Sequence, residues 1–372
     1  MRHVNGTRRV FLVLVALGLA AGAGTVAAGA AAGLDKRQAQ STRAAASVPA
    51  GLDRLRAQIT RAAPGARGAV GIGIKHLESG VEVYVNGDEP YPMASTFKLP
   101  VLVELYAKAK AGQLNWDEVV DIGPFDQHLG SGEISVLFDL PGAKLSLHNL
   151  ANMMMLISDN SAADMCLAKV GAADVNARLA ALGIKGIRVD RPCQELILDH
   201  GGQDTAKLKD LPLKELQAAR RSQQQEEQPQ RTDEARWAAD DRYAADPRDQ
   251  ATPRAFVALL DKIWRGEVVD RASSDAILET MKRCTTGAAR IKGLLPRGTV
   301  VAHKTGSMGG VFDDVGIIYL PDNAGHVAIA VLTKSARAVS ADAEKTIAEI
   351  ARYAYDYFYF TAQAVGAGSD GR

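Results

Sequence analysis

Residues 91–101, YPMASTFKLPV, put Ser95 three residues before Lys98, at the start of a run in which Leu99, Leu102, Val103, Leu105 and Tyr106 fall at helical spacing. Serine is a favoured helix N-cap, so the stretch taken alone reads as a capped helix. Ser95 and Lys98 would also share one helix face, which is the arrangement of a hydroxyl nucleophile beside an amine. Pro100 fits only because it lies within the first turn. The rest of the chain has to decide between cap and nucleophile.

Upstream, AVGIGIKHLE and GVEVYVN are rich in β-branched residues and flank an ESG turn, which predicts two strands. The G-x-G in GIGIKH lacks a third glycine and a following helix, so it belongs to a strand and not to a phosphate loop. Downstream, residues 145–182 are predicted helical, with LSLHNLANMMMLISDN following Pro-Gly and SAADMCLAKVG closing on glycine. Met153, Met154 and Met155 are read as core packing. Residues 201–250 are rich in glutamine and mixed charge and poor in apolar residues. They read as an inserted, solvated excursion, helical at LKELQAARRSQQQEE.

Helical periodicity returns in TPRAFVALLDKIWRG and SSDAILETMKRC. Three strand-like runs follow, TVVAHKTG, DDVGIIYLP and HVAIAVLTK, and then a long helix from SADAEKTIAEIARYAYDYF. Two strands, many helices, three strands and a helix predict a five-stranded antiparallel sheet flanked by helices. Its first and last strands would meet, and an all-helical domain would be inserted between them.

The chain has 372 residues, 47% of them apolar and 23% charged, with net charge +1. This is globular composition, and no basic face points to nucleic acid or an anionic membrane. TRRVFLVLVALGLAAGAGTVAAGA, at 7–30, has the order of an export signal: a basic start, an apolar run and small residues. Arg8 and Arg9 before Val10, Phe11 and Leu12 suit a twin-arginine signal, the alternative being a general secretory signal. Cleavage is expected after Ala30 or Ala23, leaving 31–50 as a flexible linker and 51–365 as the folded domain, in the periplasm or outside the cell. The apolar run is shorter than a spanning helix, so no stable membrane anchor is expected. Cys166, Cys193 and Cys284 allow at most one internal disulfide, and no zinc-type spacing occurs.

Three short motifs occur in order: STFK at 95–98, SDN at 158–160 and KTG at 304–306. Together with PMASTFK, SDNSAAD, RCTTG and AHKTGS, they make the chain resemble a class A β-lactamase, of the penicillin-recognising serine hydrolases, from about residue 51 to residue 360. The resemblance implies Ser95 as nucleophile and Lys98 as its activating amine, with the N–H groups of Ser95 and Ser307 as oxyanion hole. It implies Ser158 as the proton shuttle to the leaving nitrogen, Asn160 as the holder of the substrate amide, and Asp159 as a brace for its own loop. Lys304 would supply positive potential, Thr305 a hydroxyl for a substrate carboxylate, and Gly306 room for close backbone approach.

The resemblance breaks at RVDRPCQELILDH, residues 188–200. Asp190 and Arg191 match the opening of the family's deacylation loop, but its glutamate position falls on Cys193 and its asparagine on Ile197. A thiol is mostly protonated at neutral pH and is a poor base for water. Three readings stay open: Glu195 reaches the water by a shift in loop path, Lys98 serves both half-reactions, or deacylation is slow. RWAADDRYAADPRDQATP, from 236, also resembles part of such a loop but offers only aspartates.

The expected activity is hydrolysis of the β-lactam amide by an exported serine β-lactamase. The alternatives are a D-Ala-D-Ala-type peptidase or esterase, and a penicillin-binding protein acylated with little turnover. The expected partner is a small β-lactam or a cell-wall peptide-like substrate; no metal or organic cofactor is implied, and a monomer is expected.

Overall fold

The computed structural model describes residues 51–138, 142–226 and 232–367. The expected leader and linker lie outside these residues. No described helix is long and apolar enough to cross a membrane.

Strands β1 (Ala69–His76), β2 (Glu82–Val85), β3 (Val301–Met308), β4 (Val311–Tyr319) and β5 (His326–Lys334) form the predicted five-stranded sheet, in order β2-β1-β5-β4-β3 and antiparallel throughout. The two ends of the folded chain meet where β1 pairs with β5, with Ile72 opposite Val331 and Ile74 opposite Ile329. Both faces of the sheet are buried. Along β5, Val327, Ile329 and Val331 face α1 (Leu52–Ala62) and the C-terminal helix, which runs Ser340–Ala367. Ala328, Ala330 and Leu332 face the larger helical core. This is the two-residue alternation of a strand between two apolar layers.

The GIGI stretch serves the same packing. A Cβ on Gly71 would lie 2.4 Å from the Tyr91 ring, and one on Gly73 would lie 2.9 Å from Val257. Glycine there lets neighbouring elements sit directly on β1.

The helical layer contains α2 (Lys98–Lys110), α3 (Leu147–Leu156), α4 (Asn160–Val170), α5 (Ala172–Ala181) and α6 (Cys193–His200). After these come α7 (Leu213–Glu226), α8 (Asp233–Ala245), α9 (Pro253–Arg265), α10 (Arg271–Lys282) and the C-terminal helix, α11. Residues 145–182 depart slightly from expectation, because a short strand, Lys144–Ser146, precedes α3. α3 is capped by Ser146, whose hydroxyl accepts the Asn149 N–H. The polar excursion is more ordered than its composition suggests. α7 lies on the predicted helical stretch, and α8 is a helix that composition did not announce. Leu208, Leu213 and Leu216 bury against Leu129 and Leu198 in a small satellite core.

One buried cluster closes this excursion at its neck. Arg191 Nε donates to Asp249 Oδ2 at 2.6 Å, and its Nη1 donates to Asp199 (2.6 Å) and Asp246 (3.0 Å). Asp249 Oδ1 accepts the N–H groups of Asp190 and Arg191 at 2.7 and 3.1 Å. Burial raises the Asp249 pKa despite these donors. Arg191→Met strips the buried carboxylate of its counter-charge, a change that typically costs about 3–5 kcal/mol. Urea denaturation should show that loss, whereas Arg188→Met, at the exposed neighbour, should stay within about 0.5 kcal/mol of the parent.

Candidate active site

Ser95 does not cap the helix that follows it. Ala94–Phe97 form a 3₁₀ turn, the N-cap of α2 is Phe97, and no side chain caps it. The turn is reached through Ala94 in the left-handed region, φ 41°. A non-glycine residue there is strained and is held by its surroundings. Those surroundings include β3: a Cβ on Gly306 would lie 2.6 Å from Met93 O and 3.2 Å from Ser95 N, so the strand runs against the serine turn at contact distance.

Lys98 is fully buried beneath Ser95. Its Nζ donates to Ser158 O (2.7 Å) and Asn160 Oδ1 (2.8 Å) and lies 3.3 Å from Ser158 Oγ and 3.4 Å from Asp159 O. The SDN tripeptide is folded to present these acceptors. Ser158 has φ 60°, and Asp159 caps α4 through a bond from the Ala162 N–H. The other Asp159 oxygen accepts the N–H groups of Glu133 and Ile134. Asp159 therefore braces the junction, as expected. Asn160 is held at both ends, its Nδ2 donating to Leu129 O at 2.9 Å.

Lys304 reaches the same point from β3. Its Nζ donates to Ser158 Oγ (2.9 Å) and to Thr305 O (2.8 Å). Burial, and then the neighbouring Lys98 ammonium, push its pKa down to about 7. Behind it, His303 Nδ1 bonds Asp314 at 2.8 Å. Burial opposes charge on His303, but Asp314 outweighs it and holds the pKa up at about 9. Thr305 Oγ1 and Thr286 Oγ1 lie 2.6 Å apart. Arg290 ties the strand end down, donating to Gly306 O (2.8 Å) and Ser307 Oγ (2.6 Å).

Ser95, Ser158, Asn160, Thr305 and Ser307 line one cleft of about 480 Å³. Its far wall is α6. Cys193, Leu196, Ile197 and His200 face the cleft at the i, i+3, i+4, i+7 spacing of one helix face. Glu195 does not. It lies two residues on from Cys193, about 200° around the helix. It pairs with Lys209 at 3.1 Å and lines a separate groove with Phe125 and His128. The expectation that Glu195 attends a water beside Ser95 therefore conflicts with where α6 begins. Asp199 is also engaged elsewhere, with Arg191 and Arg248.

The start of α6 is fixed by Asp164 of α4, whose carboxylate accepts the Cys193 and Gln194 N–H groups at 2.6 and 3.0 Å. Burial first, and the Asp164 charge next, push the Cys193 thiol well above its ordinary pKa. Cys166, Cys193 and Cys284 are all free and buried. Among the described residues no cluster could hold a metal ion.

Sequence reasoning missed several parts. Arg290 and Ser131 line the cleft without belonging to the motifs, and Thr286 lies in RCTTG but was given no role. His200 was quoted without a role; here its Nε2 bonds Asp240 Oδ1 at 2.9 Å, and its ring meets Tyr243 edge-on. Asp249 could have been suspected from DPRDQATP, which does close the loop opened by Asp190 and Arg191.

Comparison with known proteins agrees with this architecture. β-Lactamase VEB-1 of Pseudomonas aeruginosa is 25% identical over 298 residues, 78% of this chain and 85% of its own. The extended-spectrum β-lactamase PER-1 of the same organism is 26% identical over 310 residues, 79% of this chain and 83% of its own. The crystal structure of a β-lactamase from Chitinophaga pinensis DSM 2588 superposes with a TM-score of 0.65 at 27% identity, covering 82% of this chain and 99% of that one. Residues 54–358 match the profile of the Beta-lactamase enzyme family, and this match over most of the chain's length shows that the chain belongs to that family.

Proposed function

We propose that the protein is an exported serine β-lactamase that forms an acyl-enzyme on Ser95. The observation that carries this reading is the Ser158 hydroxyl, set between the Lys98 and Lys304 amines beside the Ser95 turn. Ser95 Oγ attacks the lactam carbonyl carbon, and the ring C–N bond breaks. The hydroxyl proton passes through the Lys98–Ser158 pair to the departing nitrogen. The N–H groups of Ser95 and Ser307 receive the developing oxyanion. Lys304 and Thr305 hold the substrate carboxylate, and Asn160 the side-chain amide. Water then cleaves the ester and restores Ser95.

A second reading has a specific observation in its favour. The α6 residue facing the cleft where a base is needed is Cys193, a buried and protonated thiol, and Glu195 turns away. A penicillin-binding protein, or a D-Ala-D-Ala peptidase acylated by lactams with little turnover, fits that feature. The two readings share the first half-reaction and differ in the second.

Three measurements bear on these readings. Ser95→Ala should abolish the covalent adduct with penicillin-type probes in intact-mass spectrometry, with acylation falling at least about 10³-fold. An adduct that persists on another residue removes Ser95 as nucleophile. In stopped-flow assays the wild type should show an acylation burst followed by slow turnover, and Cys193→Glu should raise the steady state without a matching rise in the burst rate. Turnover without a burst, unchanged by that substitution, means another group already activates water.

The third is a pH profile. With a Lys304 pKa of about 7, the charged form is lost as pH rises from 6 to 9. The KM for a carboxylate-bearing lactam should rise about tenfold or more over that range, the scale of one charge-assisted contact. Lys304→Arg should flatten that limb, since guanidinium keeps its charge. A flat wild-type profile excludes Lys304 as the carboxylate's partner.

A further inference from the structure

The cleft does not end at the face of α6. Ile197, His200 and Gly309 line it and also line a second chamber of about 590 Å³, so the two spaces share a wall and meet at its edge. That chamber is built by the excursion: α7 contributes Arg220, and α8 contributes Arg236 and Arg242. Among the described residues its lining holds these three guanidinium groups and no carboxylate. Two acids of α8 are turned to other partners, and a third pairs with one of the chamber's own arginines. Asp240 is buried against His200, Asp241 pairs with Arg337 at 2.7 Å, and Asp233 pairs with Arg236 at 2.8 Å from an exposed position. Asp233 offsets Arg236, and Arg242 leaves the described lining with positive charge, at the end of the cleft away from Lys304 and Thr305.

We propose that this arginine-lined chamber is a subsite for a carboxylate carried on the acyl side of the substrate. The inference rests on the acyl-transfer reading above and extends it. With one substrate carboxylate held at Lys304 and Thr305 and the reacting carbonyl at Ser95, the acyl substituent runs toward Ile197, His200 and Gly309. A carboxylate at its far end enters the field of Arg236 and Arg242. Planar guanidinium groups suit it, because each can offer two parallel N–H donors. Both arginines are exposed, so water and salt weaken the contact and its effect is moderate. His200, fixed by Asp240, stands at the junction. The carboxylate could come from a lactam side chain or from a cell-wall peptide, and the shared chemistry is an anionic group distal to the scissile carbonyl.

The test uses two matched pairs of acyl donors. One is benzylpenicillin and its analogue with a carboxylate at the para position of the phenyl ring. The other is an acyl-D-alanyl thioester of thioglycolate with and without a terminal carboxylate on the acyl group. The quantity read is the ratio of acylation efficiencies within each pair, by stopped flow and intact mass. The dianionic member should be favoured about three- to tenfold at low salt. That ratio should fall toward one in Arg236→Ala/Arg242→Ala and in 1 M salt. A preference confined to the penicillin pair assigns the subsite to lactam side chains, and one confined to the thioester pair assigns it to cell-wall peptides. Equal efficiencies within both pairs, with acylation of Ser95 intact, overturn the subsite and leave the acyl-transfer reading standing. Failure of every compound to acylate Ser95 overturns that reading, and the subsite with it.

Discussion

Two buried amines meeting at one hydroxyl are the constraint around which the rest of this molecule is arranged. Lys98 and Lys304 have no exposed surface, and among the described residues no carboxylate bonds either of them; both are within hydrogen-bonding distance of Ser158 Oγ. An isolated buried ammonium is costly unless its donors are satisfied. Here the compensation comes mainly from dipoles: Ser158 O and Asn160 Oδ1 for Lys98, and Thr305 O for Lys304. That explains why Ser158 adopts a left-handed backbone, and why Asp159 spends its carboxylate on N–H groups. Burial, and after it the neighbouring Lys98, bring the Lys304 pKa down to about 7.

The sheet matters to this arrangement mainly as a ruler. β3 must pass the Ser95 turn closely enough for Lys304 to reach Ser158. Gly306 sets that distance, because any side chain would strike Met93 O. Arg290 then fixes the strand end by bonding Gly306 O, Asp313 O and Ser307 Oγ. Apolar packing on both faces of β5 supplies the rigidity; a handful of polar contacts supplies the position.

The alternation in AVGIGIKH and HVAIAVLTK was strong enough to read as strands, and the order of elements was enough to predict a sheet closed by its first and last strands. The motifs were legible because each is short and contiguous. What could not be read was any contact made across a long stretch of chain by ordinary residues. Arg290 is an example, since nothing local marks it. Glu195 was misjudged for a related reason. One of the three open readings brought it to the water by a shift in loop path, but the helix begins at Cys193, and residues two apart on a helix point to nearly opposite sides. α8 escaped notice because its stripe of buried residues is thin: Asp240 and Tyr243 are buried, and most of its surface is charged.

The neck formed by Arg191 and Asp249 bears on how such a chain can change over evolutionary time. A segment whose two ends are clasped by a buried ion pair is free to vary in length. The entropic cost of closing a loop grows only logarithmically, by about 0.6 kcal/mol for each doubling. The wall of the cleft lies immediately inside the clasp, on α6, and the helices that form the second chamber's side lie further along the same segment. Length and composition there can drift without disturbing Ser95, Lys98 or Lys304, because the clasp absorbs the difference. The fold thus separates a part that must keep its geometry from a part that can be rewritten, and the boundary between them is the buried cluster of Arg191 with Asp199, Asp246 and Asp249.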